Sequence, residues 1–365
     1  GVSSAAYPPK SWRDFRPTGR RRAERGKSVM RPEAARHQDT GLEDLDLASP
    51  EGASTGLPGA RELYDRWEIQ QWSVSGVEVV RDVPRLAELG AFTRRELLSA
   101  LAELEIGESC VTRTLSALAD HAPSTADQLY LCTQLADEAR HVQFFQRYLF
   151  QAAQVTAADL EPDGALGRVS GYGRVFEPLL REFTGRVRER RGEPAAWYAA
   201  LVHYHLVTEG ILAAAGLRTL RTQARRYGLR ALDEGLTNVT RDEARHLTFG
   251  LSAAREGVRS GYADVIGGTY LEGVDLAARV LVNPAKRATT PVIGAALRAH
   301  AANLSAQWSV AHARMVRQLA LVGLRALTTT AERVWQDSMT AAFTEYRGVW
   351  GTEHPVARAL RLSML

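Results

Sequence analysis

Asp137-Glu-Ala-Arg-His141 recurs, residue for residue, as Asp242-Glu-Ala-Arg-His246. In each copy the glutamate and the histidine stand three positions apart, and on a helix that spacing puts both side chains on one face. Each copy also follows a lone glutamate in apolar surroundings. Glu108 lies 30 residues before Glu138, within Ile106-Gly-Glu-Ser-Cys-Val111. Glu209 lies 34 residues before Glu243, within His205-Leu-Val-Thr-Glu-Gly-Ile-Leu212. A helix, a short turn and an antiparallel return bring positions so separated back to one level. Four carboxylates and two imidazoles can then meet in the core of a helical bundle.

One Glu-x-x-His on an arginine-rich helix is ordinarily a solvated face. Two copies, each preceded by a glutamate among apolar residues, read differently, because a buried carboxylate needs a charged partner. A pair of metal ions supplies it, and an oxygen-rich site with one nitrogen per metal suits iron or manganese. Ferritin-like bundles build such sites from one Glu on each of two helices and Glu-x-x-His on each of two others. The candidate ligands are therefore Glu108, Glu138, His141, Glu209, Glu243 and His246. Glu103 and Glu105 share the first helix, and Glu105, three residues from Glu108, is an alternative there. Asp137 and Asp242 are placed either to orient a metal-bound imidazole through its outer nitrogen or to serve as surface charge. Cys110 reads as a small core residue, and His203 and His205 as core histidines. There is no glycine-rich phosphate loop, Cys-x-x-Cys pair or nucleophile elbow.

Around this pattern the chain reads as all-α. Helices are predicted over about 92–121, 124–155, 173–191, 195–227, 229–259, 261–283, 291–325 and 327–347, eight in all. Pro, Gly and Asn mark most of the breaks, and Ser124, with Asp127 three residues on, is a helix N-cap. Period-2 alternation is absent beyond Val77–Val80, so no strand is expected. Residues 1–57, rich in Pro, Gly, Ser and Arg, read as a mostly disordered basic tail. Residues 58–350 form the expected ferritin-like domain, and 351–365 a C-terminal tail.

Of 365 residues, 45% are hydrophobic and 24% charged, which fits a folded body. The net charge of +4 is more than accounted for by residues 1–36, so no nucleic-acid surface is inferred for the body. Only Lys10, Lys27 and Lys286 are lysines; the preference for arginine reads as the codon bias of a GC-rich genome. Two cysteines, Cys110 and Cys132, cannot make a disulfide framework, and a reducing cytoplasm is the simple reading. No apolar run of about 18 residues suggests a membrane span. No apolar stretch follows Arg20–Arg22, so no secretion signal is expected.

The motifs also carry a family resemblance, over about residues 64–256. Gly107-Glu108-Ser-Cys-Val111-Thr112, Leu129-Tyr-Leu-Cys-Thr-Gln134, Tyr204-His-Leu-Val-Thr-Glu209-Gly210 and the two Asp-Glu-Ala-Arg-His copies are similar to the ribonucleotide reductase small-subunit family. Within it, the chain most resembles the ligand-binding oxidases with a manganese–iron site. The Gly-Glu-x-x-Val-Thr match selects Glu108 over Glu105.

The resemblance implies two metal ions, Fe/Fe or Mn/Fe, that activate O₂ for two-electron oxidation of an aliphatic C–H bond. It also implies a long-chain fatty acid or similar lipid as ligand, an electron donor and a homodimer. That branch joins a valine to a tyrosine through an ether; the matching positions are Val111 and Tyr204. Val111 shares the helix face of Glu108. Tyr204 stands five residues before Glu209, which a regular α-helix would turn away and a π-bulge would bring round. Where the branch has a further tyrosine, this chain has Leu217, expected to make one cavity wall less polar. Phe145 occupies the radical-tyrosine position of the reductase subunits, and the C-terminus is basic and apolar. Both argue against deoxynucleotide synthesis. A tailoring oxygenase or halogenase on the same scaffold is the alternative, and a metal store is disfavoured by the Val111/Tyr204 pair.

Overall fold

The computed structural model describes residues 57–190, 192–287 and 294–357; the N-terminal tail reading falls almost wholly outside them. All regular structure among the described residues is helical. In chain order the helices are α1 (Ala60–Ile69), α2 (Val83–Glu88), α3 (Ala91–Thr114), α4 (Ser116–Asp120), α5 (Thr125–Arg147), α6 (Ala157–Leu160), α7 (Glu177–Glu189), α8 (Pro194–Leu201), α9 (Ala214–Tyr227), α10 (Arg230–Gly257), α11 (Ala263–Val282), α12 (Gly294–Val322) and α13 (Thr328–Trp350). A π-helical stretch, Val202–Ala213, joins α8 to α9 without a break. Each of the eight predicted helices has its counterpart. Ser124 Oγ accepts the Asp127 N–H at 3.1 Å, the expected N-cap bond. Val77–Val80 forms no strand; short 3₁₀ turns flank it.

The core bundle comprises α3, α5, the α8–π–α9 helix and α10, with α11 and α12 packed on its π-helical segment. Helix α1 crosses α5 and α10. Two apolar clusters fill the bundle. One contains Leu115, Tyr130, Val207 and Phe249; the other contains Leu97, Leu101, Phe144, Phe145 and Leu232. Along α3, α5 and α10 the acidic residues sit between the residues belonging to the two clusters, so the polar layer is sandwiched by apolar packing. Leu217 belongs to the second cluster, fully buried.

Two sequence expectations change. The 351–365 segment was expected to be a tail, yet His354 and Val356 are buried, with the His354 ring 5.4 Å from that of Phe343. This holds for 351–357; the rest lies outside the described residues. The stretch Pro194–Tyr227 is long and apolar enough by composition to cross a membrane, but its most apolar window is 89% buried within the protein. Its apolar character is that of a core helix enclosed by its neighbours.

Helix α10 comes close to α5 at Gly235, where an added Cβ would lie 2.0 Å from the Phe144 ring. Such overpacking costs about 1–3 kcal/mol. Gly235→Ala is therefore expected to lower the thermal midpoint by several degrees, measured by calorimetry, and Phe144→Leu in the same chain to recover part of that loss. An unchanged midpoint in Gly235→Ala would show that the two helices can move apart at this point.

Candidate metal centre

The structure brings all six candidate ligands together. They form two quartets, Glu108, Glu138, His141 and Glu243, and Glu138, Glu209, Glu243 and His246, each offering donor atoms within 4.8 Å of one another. Glu138 and Glu243 belong to both, so they stand where bridging carboxylates would. All six are at most 5% exposed. The alternatives on α3 lie elsewhere. Glu105 accepts from Ser109 Oγ and Gln146 Nε2 at 2.8 and 2.9 Å, and Glu103 accepts the Tyr172 N–H at 2.7 Å.

Five inward-facing donor atoms have no hydrogen-bond partner: Oε2 of Glu138, Glu209 and Glu243, and Nδ1 of His141 and His246. Buried polar atoms are normally satisfied, so a converging set of orphans calls for a missing partner. Four ionised glutamates carry a formal charge of −4, which two divalent cations would balance. The residues present therefore fit a dinuclear metal pair.

The outer nitrogens of the imidazoles are held crosswise. His141 Nε2 lies 3.2 Å from Asp242 Oδ2, and His246 Nε2 lies 3.1 Å from Asp137 Oδ2. Each motif's aspartate thus holds the other motif's histidine, which leaves each Nδ1 facing the glutamates. Arg245 bridges the two aspartates at 2.9 and 2.7 Å, and Arg140 bonds Asp137. Trp67 Nε1 donates to Asp137 at 2.9 Å and Trp72 Nε1 to Asp242 at 2.7 Å. The sequence reading did not identify these indoles. Their only signal was a pair of tryptophans in an otherwise polar stretch, Trp67-Glu-Ile-Gln-Gln-Trp72. It also missed Gln134, whose amide donates to Glu209 at 2.9 Å and accepts from His205 at 3.0 Å. Burial pushes His205 down to about 3, so it remains a neutral donor.

Val111 is buried at the glutamate layer, and the Tyr204 hydroxyl donates to Glu138 Oε1 at 3.0 Å. A cavity of about 260 Å³ ends on Glu108, Glu138, Glu209 and Glu243 and has Val111, Leu104, Leu212 and Gly216 in its wall. Leu217 is not in that wall; it points into the second apolar cluster, so it does not set the cavity's polarity. Tyr172 and Thr208 also line the cavity, and their buried hydroxyls lie within reach of each other.

Without metal, the site holds protons. Burial raises Glu108 and Glu209 well above the usual carboxylate range, and for Glu209 the charge of Glu243 adds to this. Burial also opposes a charged His246, but Glu243 and Asp137 outweigh it and bring the imidazole up to about 10. Metals bind the deprotonated forms. Metal uptake near pH 7 is therefore expected to release protons, at least one per imidazole, and affinity is expected to rise with pH. Calorimetry of metal binding in buffers of different ionisation enthalpy measures the release; heats that do not depend on the buffer would contradict it.

Neither a family model nor a curated protein matches the sequence. Among solved structures, the chain is similar to an R2-like ligand-binding oxidase from Sulfolobus acidocaldarius at 17% identity and a TM-score of 0.58, covering 74% of this chain and 93% of that one. It is also similar to a glycine-to-phenylalanine variant of an R2-like ligand-binding oxidase with anaerobically reconstituted Mn/Fe cofactor. That likeness has 21% identity and a TM-score of 0.57, over 76% of this chain and 93% of the other. A valine-to-leucine variant with aerobically reconstituted Mn/Fe cofactor gives 18% and 0.54, over 85% and 98%. These likenesses establish the ferritin-like helical fold.

Proposed function

We propose that the protein is an O₂-dependent dinuclear-metal oxidase that oxidises an aliphatic C–H bond of a long-chain fatty acid or similar lipid, with the helical body from residue 58 through at least residue 357 as its catalytic domain. One observation carries this reading: two quartets of buried donors sharing Glu138 and Glu243 hold five atoms without a hydrogen-bond partner, and their four glutamates line a largely apolar cavity. The metal ligands are Glu108, Glu138, His141, Glu209, Glu243 and His246. The pair is Fe/Fe or Mn/Fe; similar structures carry a Mn/Fe cofactor. We place the protein in the cytoplasm as a homodimer that draws electrons from a separate donor.

A bound pair of redox-active ions supplies the oxidising power that O₂ alone lacks kinetically. The protein does the rest. Glu108 belongs to one quartet and Glu209 to the other, so each would hold one ion, while Asp137 and Asp242 fix the imidazole tautomers. Leu104, Leu212 and Leu220 exclude water and hold an alkyl chain. The paired hydroxyls of Tyr172 and Thr208 offer polar contacts to an acid group in the cavity. Tyr204 holds its proton on Glu138 Oε1. Its phenol lies in a site where burial and the charge of Glu138 strongly resist ionisation, so it stays protonated until it is oxidised.

Anaerobic loading is expected to give about two metals per chain by elemental analysis. Glu138→Ala and Glu243→Ala should each lose the pair, because each removes a donor from both quartets. Asp242→Asn should lower metal affinity about 10–100-fold through His141. Full occupancy in both glutamate variants would overturn the ligand assignment.

The Val111–Tyr204 ether is a second expected outcome. Loading in air should join the Val111 side chain to the Tyr204 oxygen, with loss of two hydrogens and two electrons to O₂. Peptide mapping should find the linked pair, lighter by two hydrogens, only in air and never in Tyr204→Phe. If the peptides stay separate after full O₂ consumption, the oxidant acts on another molecule, and a tailoring oxygenase or halogenase becomes the better reading.

A further inference from the structure

The cavity is polar at its outer end as well. Its wall follows one stripe of α3, Glu96, Ser99, Glu103 and Gly107, at helical spacings of three and four, and reaches Glu108 beside it. Small residues, Gly107, Ala213 and Gly216, leave the middle open, with Leu104, Leu212 and Leu220 beside them. Beyond this apolar midsection stands Lys286, the one Lys or Arg among the cavity-lining residues.

Lys286 is also the only lysine among the described residues. Its Nζ donates to Ser99 Oγ at 2.6 Å. No described carboxylate lies within the 4.0 Å of an ion pair with it. An ammonium has three donors, so two remain for a ligand. Glu103 lines the same cavity and feels the Lys286 charge from beyond ion-pair distance, its carboxylate accepting the Tyr172 N–H. The lysine sits on a held loop. Asn283 Nδ2 donates to Val169 O at 2.7 Å, its Oδ1 accepts from Arg174 at 2.8 Å, and Trp350 Nε1 donates to Pro284 O at 3.0 Å. A point charge on a fixed loop is preorganised for binding. A compact ammonium also suits a narrow mouth better than a planar guanidinium.

We propose that the cavity has a second polar subsite, centred on the Lys286 ammonium, which binds an anionic group at the outer end of an extended aliphatic ligand. This rests on the reading above, that an aliphatic acid enters the cavity, and it narrows the ligand to a chain polar at both ends. The helix sets the length. Glu108 and Ser99 are nine residues apart on α3, about 14 Å at 1.5 Å per residue. An extended chain advances about 1.2 Å per bond, so roughly eleven bonds span the two ends.

Dodecanedioic acid and its monomethyl ester, which share one chain length and differ by one charge and one methyl group, test the subsite by calorimetry on the full-length, metal-loaded protein. The wild type should bind the diacid about tenfold more tightly than the half-ester, the scale of one charge-assisted hydrogen bond. Lys286→Met should bring that ratio to about one, with an unchanged thermal midpoint reporting an intact fold. Lys286→Arg should restore part of the preference. A wild-type ratio near one, or a preference that survives Lys286→Met, overturns the subsite while the acid-binding reading stands. A wild type that binds neither compound overturns that reading and the subsite with it.

Discussion

Four glutamates buried in one layer, with only two imidazoles as cations among them, are the constraint on which the rest of the structure depends. The nearest guanidiniums, Arg140 and Arg245, are engaged by Asp137 and Asp242. Bringing uncompensated charges into a core costs several kcal/mol each. Without metal, that cost is reduced by protonation, which is why Glu108 and Glu209 are pushed up and the imidazoles stay charged. The two apolar clusters on either side supply the packing that holds such a layer in place, and metal binding would add to stability by acting on the folded state alone.

The crosswise pairing of aspartates and histidines ties the two halves of the site to each other. If each aspartate served its own motif, α5 and α10 could shift independently. Instead, a movement of either helix disturbs the imidazole on the other. Arg245 closes the circuit by bonding both aspartates. Helix α1 and the turn after it complete it with Trp67 and Trp72, and the Arg140 guanidinium lies 5.2 Å over the Trp72 ring. The N-terminal helix therefore belongs to the site although none of its residues is a candidate ligand.

The ligand set was legible because its signal is local: Glu and His three apart on a helix, written twice, each after a glutamate in apolar sequence. The helices were legible for the same reason. What escaped notice depends on non-local contacts. Nothing near Trp67 or Trp72 says that their indoles reach aspartates 70 and 170 residues away. Sharing of Glu138 and Glu243 depends on how α5 and α10 face each other, and the spacing within each motif suggested two separate halves. Leu217 was placed on the cavity wall by resemblance alone, and its side chain packs instead in the second apolar cluster. Lys286, read as a residue of codon bias, acquires meaning only from its position at the end of the cavity.

The π-helical segment itself has a physical reason. Tyr204 and Glu209 are five residues apart and must both face the metal layer. An α-helix repeats every 3.6 residues, so five positions leave a large angular error; hydrogen bonds from i to i+5 remove it. The conformation spans Val202–Ala213, and a carbonyl within it, having two lone pairs, can accept a further hydrogen bond from outside. Arg314 of α12 supplies one, donating to Gly210 O at 2.8 Å. Gly210 permits that approach, because a Cβ there would lie 2.4 Å from Gln318 Nε2 and 2.8 Å from Leu247. Helix α12 is remote from the candidate ligands in sequence, yet it holds the carbonyl next to Glu209. The unusual helix that presents Tyr204 and Glu209 together thus persists because a fifth helix stabilises it from behind.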